Sequence, residues 1–591
     1  MSRRLLGVLV AAAALLVPVA SASAGGTAAP APFGLPCVAK LDVRFCQGTD
    51  PSNVVPTLSK RVPSFDGTPI DADVTIPAEG QGPWPTIVMI HGYGGNKGSY
   101  ETSKPSDGFN NVGLAKKGYA VVTISTRGFG LSCGAAVSRT AACDGKGWIH
   151  LDDQRFEVRD VQTLLGRLVD DGTAEAAHLG ATGGSYGGGL SLQLAYLKNR
   201  VRKPNGSFAA WKSPAGTPLK LAAAYPVVPW SDLSSALVPN GRSDGFADPI
   251  GVPIKSYISG LYFAGKTTGW VADPGVDPGA DLSGWKDLLD AGEPYTAKAR
   301  KILKQISDYH GVWSMKGTPS PLLMASGWTD DLFPPVQTVR VYDRLRKHDK
   351  KAPVWLQVGD FGHSRGGAHQ NDLNALNTQA VAFFAHYLQG SSVKLPKPGS
   401  VLAFGQTCPR NADSGLGPYK ASSFAGLQKG SVTIRSGAKT TITGEATPEQ
   451  AALNATLEPT LAKGSNACST YPVLNGPNAA IASRTKAFTY LGFGHVSVTL
   501  KTSGPYGQLN ARLWDIAPGG DTQTLVDRSV YRLTKNQKGT AKFDLHGNGY
   551  AFAPGHTARL EVVGNDAPTH RASNGSFSVK ISNLKVVLPT R

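Results

Sequence analysis

The chain has 591 residues, more than a single hydrophobic core holds and enough for two or three domains. Hydrophobic residues make up 41 %, which excludes a disordered chain, while 70 glycines and 41 prolines announce many turns. The formal charge of +18 comes without a dense basic run or a nucleic-acid motif, so it reads as a solvated basic surface and no nucleic-acid partner is expected. Met1-Ser2-Arg3-Arg4, the apolar run Leu5 to Ala20 and the small residues Ala20-Ser21-Ala22-Ser23-Ala24 follow one another as basic start, apolar middle and cleavage site. That order predicts a signal peptide over 1–24 and a secreted, extracellular protein; no other segment is long and apolar enough to span a membrane.

A Pro/Ala/Gly-rich arm is expected over 25–60. Six cysteines fall as three close pairs, Cys37 with Cys46, Cys133 with Cys143 and Cys408 with Cys468. An even number in an exported chain favours disulfides, and proximity suggests these pairings among the connectivities that six cysteines allow. Residues 61–77 alternate around Asp66-Gly67 as a hairpin. Thr86–Ile90 is a continuous apolar strand that ends in His91-Gly92-Tyr93-Gly94-Gly95. A helix-like stretch through Val112–Ala115, a second buried strand over Ala120–Ile124 and a helix over 151–170 follow.

Ala176–Thr182 then reads as a buried strand and Leu190–Leu197 as a helix. Between them lies Gly183-Gly184-Ser185-Tyr186-Gly187-Gly188, which fits G-x-S-x-G. That turn holds a serine hydroxyl up in a strained conformation between strand and helix, and it needs small residues so that the two can approach. Leu219–Val228 is a further strand. Residues 231–315 break the rhythm, loop-rich at first and helical near Thr296–Ile306, and are expected to form a cap. Alternation resumes with strands over Pro321–Gly327 and Val354–Gly359 and a helix from about Asn374 to Leu388. Strands buried on both faces and separated by helices predict an α/β domain with a parallel sheet, over 61–230 and 316–395.

Beyond 400 the texture changes to period-two alternation, as in His495–Leu500, Leu509–Trp514, Ala541–Leu545, Ala558–Val563 and Phe577–Ile581. An all-β sandwich over 400–591 is expected.

A serine becomes a nucleophile when a histidine takes its proton and a carboxylate orients that histidine. In α/β-hydrolases these partners follow the serine in the order acid, then base, on loops after later strands. Asp330 follows the Pro321–Gly327 strand, with Asp331 as its rival. His363 follows Val354–Gly359, with His369 as the alternative. The oxyanion of a tetrahedral intermediate needs donors. The Tyr186 backbone N–H is the first, and Tyr93, through its phenol or its backbone N–H, is the second. No spacing of Cys or His points to a metal, and no cofactor is expected.

Together these segments resemble the X-Pro dipeptidyl-peptidase and cocaine esterase family of serine hydrolases. The resemblance rests on Asp66-Gly67, Pro85 to Tyr93, Gly118–Val122 with Arg127-Gly128-Phe129-Gly130-Leu131-Ser132, the Gly183–Gly188 elbow, Gly327-Trp328-Thr329-Asp330 and Gly362-His363. Tyr550 to Val562 looks like the family's C-terminal jelly-roll segment, where His556 would be structural. The resemblance implies an α/β-hydrolase core, a helical cap, a jelly roll beside the site and a Tyr93 phenol on the oxyanion. It departs from the pattern at His91-Gly92-Tyr93-Gly94, where the family often has Pro-Tyr-Asp. The substrates implied are peptides cleaved near their N-termini, or small esters and amides. A peptidase would need a carboxylate for the substrate ammonium, with Asp232 and Asp244 as candidates. A non-catalytic glycan-binding protein is the third reading, and an intact Ser185, Asp330 and His363 argue against it.

Overall fold

The computed structural model describes residues 31–47, 60–101, 108–458, 465–476 and 478–591. The expected signal peptide and residues 25–30 and 48–59 of the expected arm lie outside the described residues.

The strands Thr86–Ile90 and Ala120–Ile124 are β-branched or apolar at every step, so both faces must be covered, and a parallel sheet between helix layers does this. Among the described residues the main sheet has eleven strands. Its parallel centre runs Ala120–Ile124, Trp84–Ile90, Ala174–Gly184, Leu221–Val227, Leu322–Gly327, Val354–Gly359 and Val401–Gly405. Side chains alternate between two cores. Val88, Ile90, Met324 and Leu356 face the helices Glu157–Asp170, Tyr186–Leu197 and Val336–His348. Ile87, Met89, Leu323 and Trp355 face Asn111–Ala115 and Gln370–Gln389. Helix Tyr186–Leu197 is buried at every residue; it is mostly apolar, and its polar Ser191 and Gln193 donate to the Gly187 and Asp152 carbonyls.

Antiparallel strands extend the sheet at both edges. Val43–Cys46 and Ala72–Pro77 pair on one side, so the second half of the expected hairpin belongs to the main sheet. On the other side Leu416–Ala421 pairs with Val401–Gly405. The first two strands after residue 400 thus complete the α/β sheet and lie outside the β-region. Their alternation is that of any strand, and period alone does not say which sheet a strand joins.

Between Leu221–Val227 and Leu322–Gly327 the chain forms helices Leu233–Leu237, Lys255–Thr268, Leu282–Ala291 and Ala297–Tyr309. The first three are not among the elements the sequence predicts. Gly260 and Gly265 depress helix propensity in Lys255–Thr268, and packing overrides them. The helix expected over 151–170 starts only at Glu157, because Leu151 and Asp152 have φ of 62° and 64°. Among the described C-terminal residues, antiparallel sheets of seven and five strands share one core, with Val496, Val498 and Val586 from one and Leu509, Leu513 and Leu560 from the other.

The six cysteines form the disulfides Cys37–Cys46, Cys133–Cys143 and Cys408–Cys468. Three such bonds suggest an oxidising, extracellular setting. Among the described residues no helix is long and apolar enough to cross a membrane.

Candidate active site

Ser185 stands where strand Ala174–Gly184 turns directly into helix Tyr186–Leu197. Its φ of 57° and ψ of −115° are strained for a residue with a Cβ. The strain persists because the surroundings fix it: the Ser185 N–H donates to the Val227 carbonyl at 3.0 Å, and Gly189 N–H donates back to Ser185 O at 2.9 Å. The glycines are a packing requirement. A Cβ at Gly187 would lie 1.9 Å from the Ile90 carbonyl oxygen, one at Gly183 2.3 Å from it, and one at Gly188 2.3 Å from the Val227 oxygen.

Asp330 and His363 lie on the loops after two neighbouring strands, Leu322–Gly327 and Val354–Gly359. The structure joins both to Ser185 in one hydrogen-bonded chain. His363 Nε2 is 2.7 Å from Ser185 Oγ, and His363 Nδ1 is 2.7 Å from Asp330 Oδ2. Asp330 is fully buried, and its Oδ1 accepts the N–H groups of Leu332 and Phe333 at 3.0 and 2.8 Å. With Oδ1 so held, Oδ2 is left aimed at the imidazole. The ring of Phe333 meets His363 edge-on at 5.2 Å, a contact no sequence pattern signals. Gly362 has φ of 125°, and a Cβ there would strike Asp330 Cβ at 2.7 Å.

The two alternatives are engaged elsewhere. Asp331 pairs with Arg365 and Arg528. Burial would raise its carboxyl, but Arg365 first and then Arg528 hold it below the usual range. His369 bonds to Asp360 at 2.9 Å through Nε2 and to the Ala412 carbonyl at 2.7 Å through Nδ1, and the Asp360 bond raises it.

The loop after Trp84–Ile90 passes over Ser185: a Cβ at Gly92 would sit 3.7 Å from Ser185 Cβ. The Tyr93 ring, however, turns toward the cap. It packs edge-on against Phe129 at 4.9 Å and Tyr186 at 5.4 Å, and its hydroxyl abuts Gly265, where a Cβ would be 2.2 Å away. Burial raises its phenol well above the ordinary value. His91 is consumed locally, its Nε2 accepting from Thr126 N–H at 2.9 Å, and burial holds it at about 4, hence neutral.

Tyr186 points away from solvent. Its hydroxyl donates to Glu157 Oε1 at 3.2 Å and accepts from Asp152 N–H at 3.0 Å. Burial pushes the Glu157 carboxyl up to about 7, and burial with the Glu157 charge drives Asp152 well above the usual range. Arg127, in the expected Arg-Gly-Phe-Gly segment, is buried between Asp66 and Asp160 at 2.7 Å each.

Of the carboxylates considered for a substrate ammonium, Asp232 is spent. Its Oδ1 accepts from Ser234 Oγ and Ser235 N–H at 2.8 Å each, and its Oδ2 takes the Ser307 hydroxyl. Asp244 is exposed and lines a cavity of about 340 Å³ between cap, core and β-region whose lining includes neither Ser185 nor His363.

Fold and match define the class: an α/β-hydrolase of the serine hydrolase type. Residues 66–243 match the model of the family described as X-Pro dipeptidyl-peptidase (S15 family), and residues 283–391 match that of the prolyl oligopeptidase family. Over residues 66–243, which include Ser185, the chain is thus similar to the X-Pro dipeptidyl-peptidase family. No curated relative matches the chain by sequence. Among solved structures, an aminopeptidase from a marine sediment Thaumarchaeota archaeon is similar at 13 % identity and a TM-score of 0.58, over 92 % of this chain and 99 % of that one. A CocE/NonD family hydrolase from Staphylococcus aureus gives 13 % and 0.56, over 93 % and 94 %. An α-amino acid ester hydrolase gives 16 % and 0.55, over 94 % and 98 %. At these identities the likeness is one of fold.

Proposed function

We propose that this protein is a secreted serine peptidase of the X-Pro dipeptidyl-peptidase type, with Ser185, His363 and Asp330 as its triad. The observation that carries the reading is the unbroken chain Ser185 Oγ–His363 Nε2 and His363 Nδ1–Asp330 Oδ2, each link 2.7 Å. In this reading Ser185 Oγ attacks the scissile carbonyl and its proton passes to His363 Nε2. Asp330 Oδ2 accepts the Nδ1–H and steadies the imidazolium that forms. His363 then protonates the leaving amine. Water, deprotonated by the same Nε2, cleaves the acyl-enzyme, and Ser185 regains its proton. The Tyr186 N–H, first in its helix, and the Tyr93 N–H, beside Gly92, are the oxyanion donors. The placement of Gly92 over Ser185 and the turn of the Tyr93 phenol toward Gly265 favour the backbone N–H over the phenol.

Both matched family models are peptidase families, which favours amide over ester substrates. Export over residues 1–24 and a jelly-roll course for the C-terminal sheets belong to the same reading. The deciding experiment is a panel of chromogenic Xaa-Pro amides, longer aminoacyl amides and short-chain esters, with Ser185→Ala as control. Amide turnover that requires a free N-terminus is expected. Turnover of esters alone would sink the peptidase in favour of an esterase, and activity surviving in Ser185→Ala would sink the triad.

A further inference from the structure

Asp330 and His363 come from separate loops, and their sequences do not fix how those loops sit against each other. The backbone supplies one link, an isolated antiparallel bridge between Asp330 and Ser364. One residue along each strand-end, a second pair of side chains meets. Arg365 Nε lies 2.7 Å from Asp331 Oδ2, a contact of charge, and Arg365 Nη2 donates to Asp331 Oδ1 at 3.3 Å. Asp330–His363 thus faces Ser185 while Asp331–Arg365 faces the β-region.

That second pair is held from the β-region by one strand, Thr522–Arg532. Arg365 Nη1 donates to the Leu525 carbonyl at 3.2 Å, and Arg528 Nη1 approaches Asp331 Oδ2 at 3.5 Å. Arg528 is itself fixed, its Nη2 donating to Asp566 Oδ2 at 3.1 Å and Thr569 Oγ1 at 3.3 Å. The Arg365 carbonyl accepts the Ala467 N–H at 3.2 Å. Asp331, Arg365 and Arg528 are 4 %, 3 % and 1 % exposed, so solvent screens little of this network. A buried ion pair adds little net stability over apolar packing, but it is strongly directional and costly to break from one side. Such a pair suits the setting of a geometry better than the filling of a core.

We infer that Asp331, Arg365 and Arg528 form a positioning clamp through which the C-terminal sheets set the register between the acid loop and the base loop. None of the three touches substrate; they act through Asp330 and His363. The inference rests on the triad reading above.

The test compares Arg528→Met, Arg528→Lys and Asp331→Asn with the wild type, on whichever amide or ester the panel shows to be turned over. Active sites are counted by fluorophosphonate titration, so that rates refer to folded molecules. We expect kcat in Arg528→Met and Asp331→Asn to fall about ten- to a hundredfold with KM within about twofold, the scale of a remote misplacement of catalytic groups. The rate of fluorophosphonate labelling falls in parallel, and Arg528→Lys restores part of both. Unchanged kcat per titrated site in Arg528→Met and Asp331→Asn overturns the clamp. So does failure of both to fold, which would make the network a folding element only. Asp330→Asn and Ser185→Ala, run alongside, separate the two claims: if they retain activity, the triad reading fails, whatever the clamp variants do.

Discussion

At the scale of the residue, Tyr93 and Glu157 carry the sharpest expectations. If the second oxyanion donor is the Tyr93 backbone, Tyr93→Phe keeps kcat within a few-fold. A phenol donor would cost about 3–4 kcal/mol, a hundredfold or more. Steady-state kinetics of that one variant decide between them. Glu157 concerns stability. Burial holds its proton up to about pH 7 in the fold, against the ordinary 4.5 of an unfolded chain. Between those values the native state binds more protons, so this group's contribution is greatest at low pH and is lost as pH rises through 7, by up to about 3 kcal/mol. Glu157→Gln cannot ionise. Its denaturation midpoint, measured at pH 5 and pH 8, is expected to gain on the wild type at the higher pH; parallel shifts would show that Glu157 does not titrate there.

At the scale of the element, the elbow is a contact between backbones. Strand Trp84–Ile90, the turn at Ser185 and helix Tyr186–Leu197 approach so closely that Gly187 has the Ile90 oxygen where a Cβ would be, at 1.9 Å. Gly187→Ala must push helix from strand. It is expected to abolish fluorophosphonate labelling of Ser185 even where circular dichroism shows folded protein, and normal labelling would contradict that packing. In the cap, Gly265 makes room for the Tyr93 hydroxyl in the same way. A glycine that lowers helix propensity there serves a tertiary contact.

At the scale of the whole molecule, the β-region and the α/β sheet are tied at several depths. Gln406 N–H donates to Gly549 O at 2.6 Å, and Asn548 Nδ2 donates to Gln406 Oε1 at 2.8 Å. The Cys408–Cys468 disulfide closes a span of 60 residues across this junction. In the chain-entropy account such a loop is worth about 4 kcal/mol. Replacing both cysteines by serine is expected to lower the thermal midpoint under non-reducing conditions, and an unchanged midpoint would show that the other contacts suffice.

The sequence by itself determined the parallel strands from Thr86 to Gly359 in the α/β region, the alternation of the β-region, and the candidates Ser185, Asp330 and His363. These are local matters: a run buried on both faces, a glycine-bounded turn, and a polar residue just past a strand end are all written within a dozen residues. Tertiary structure alone decided what depends on distant partners. It placed Val401–Gly405 and Leu416–Ala421 in the main sheet, because strand periodicity carries no information about which edge is free. It made helices of Lys255–Thr268 and Leu282–Ala291, because packing outweighs propensity. It turned the Tyr93 phenol toward Gly265. And it separated Asp330 from Asp331, adjacent and chemically identical, by giving one a histidine on the next loop and the other an arginine 197 residues away.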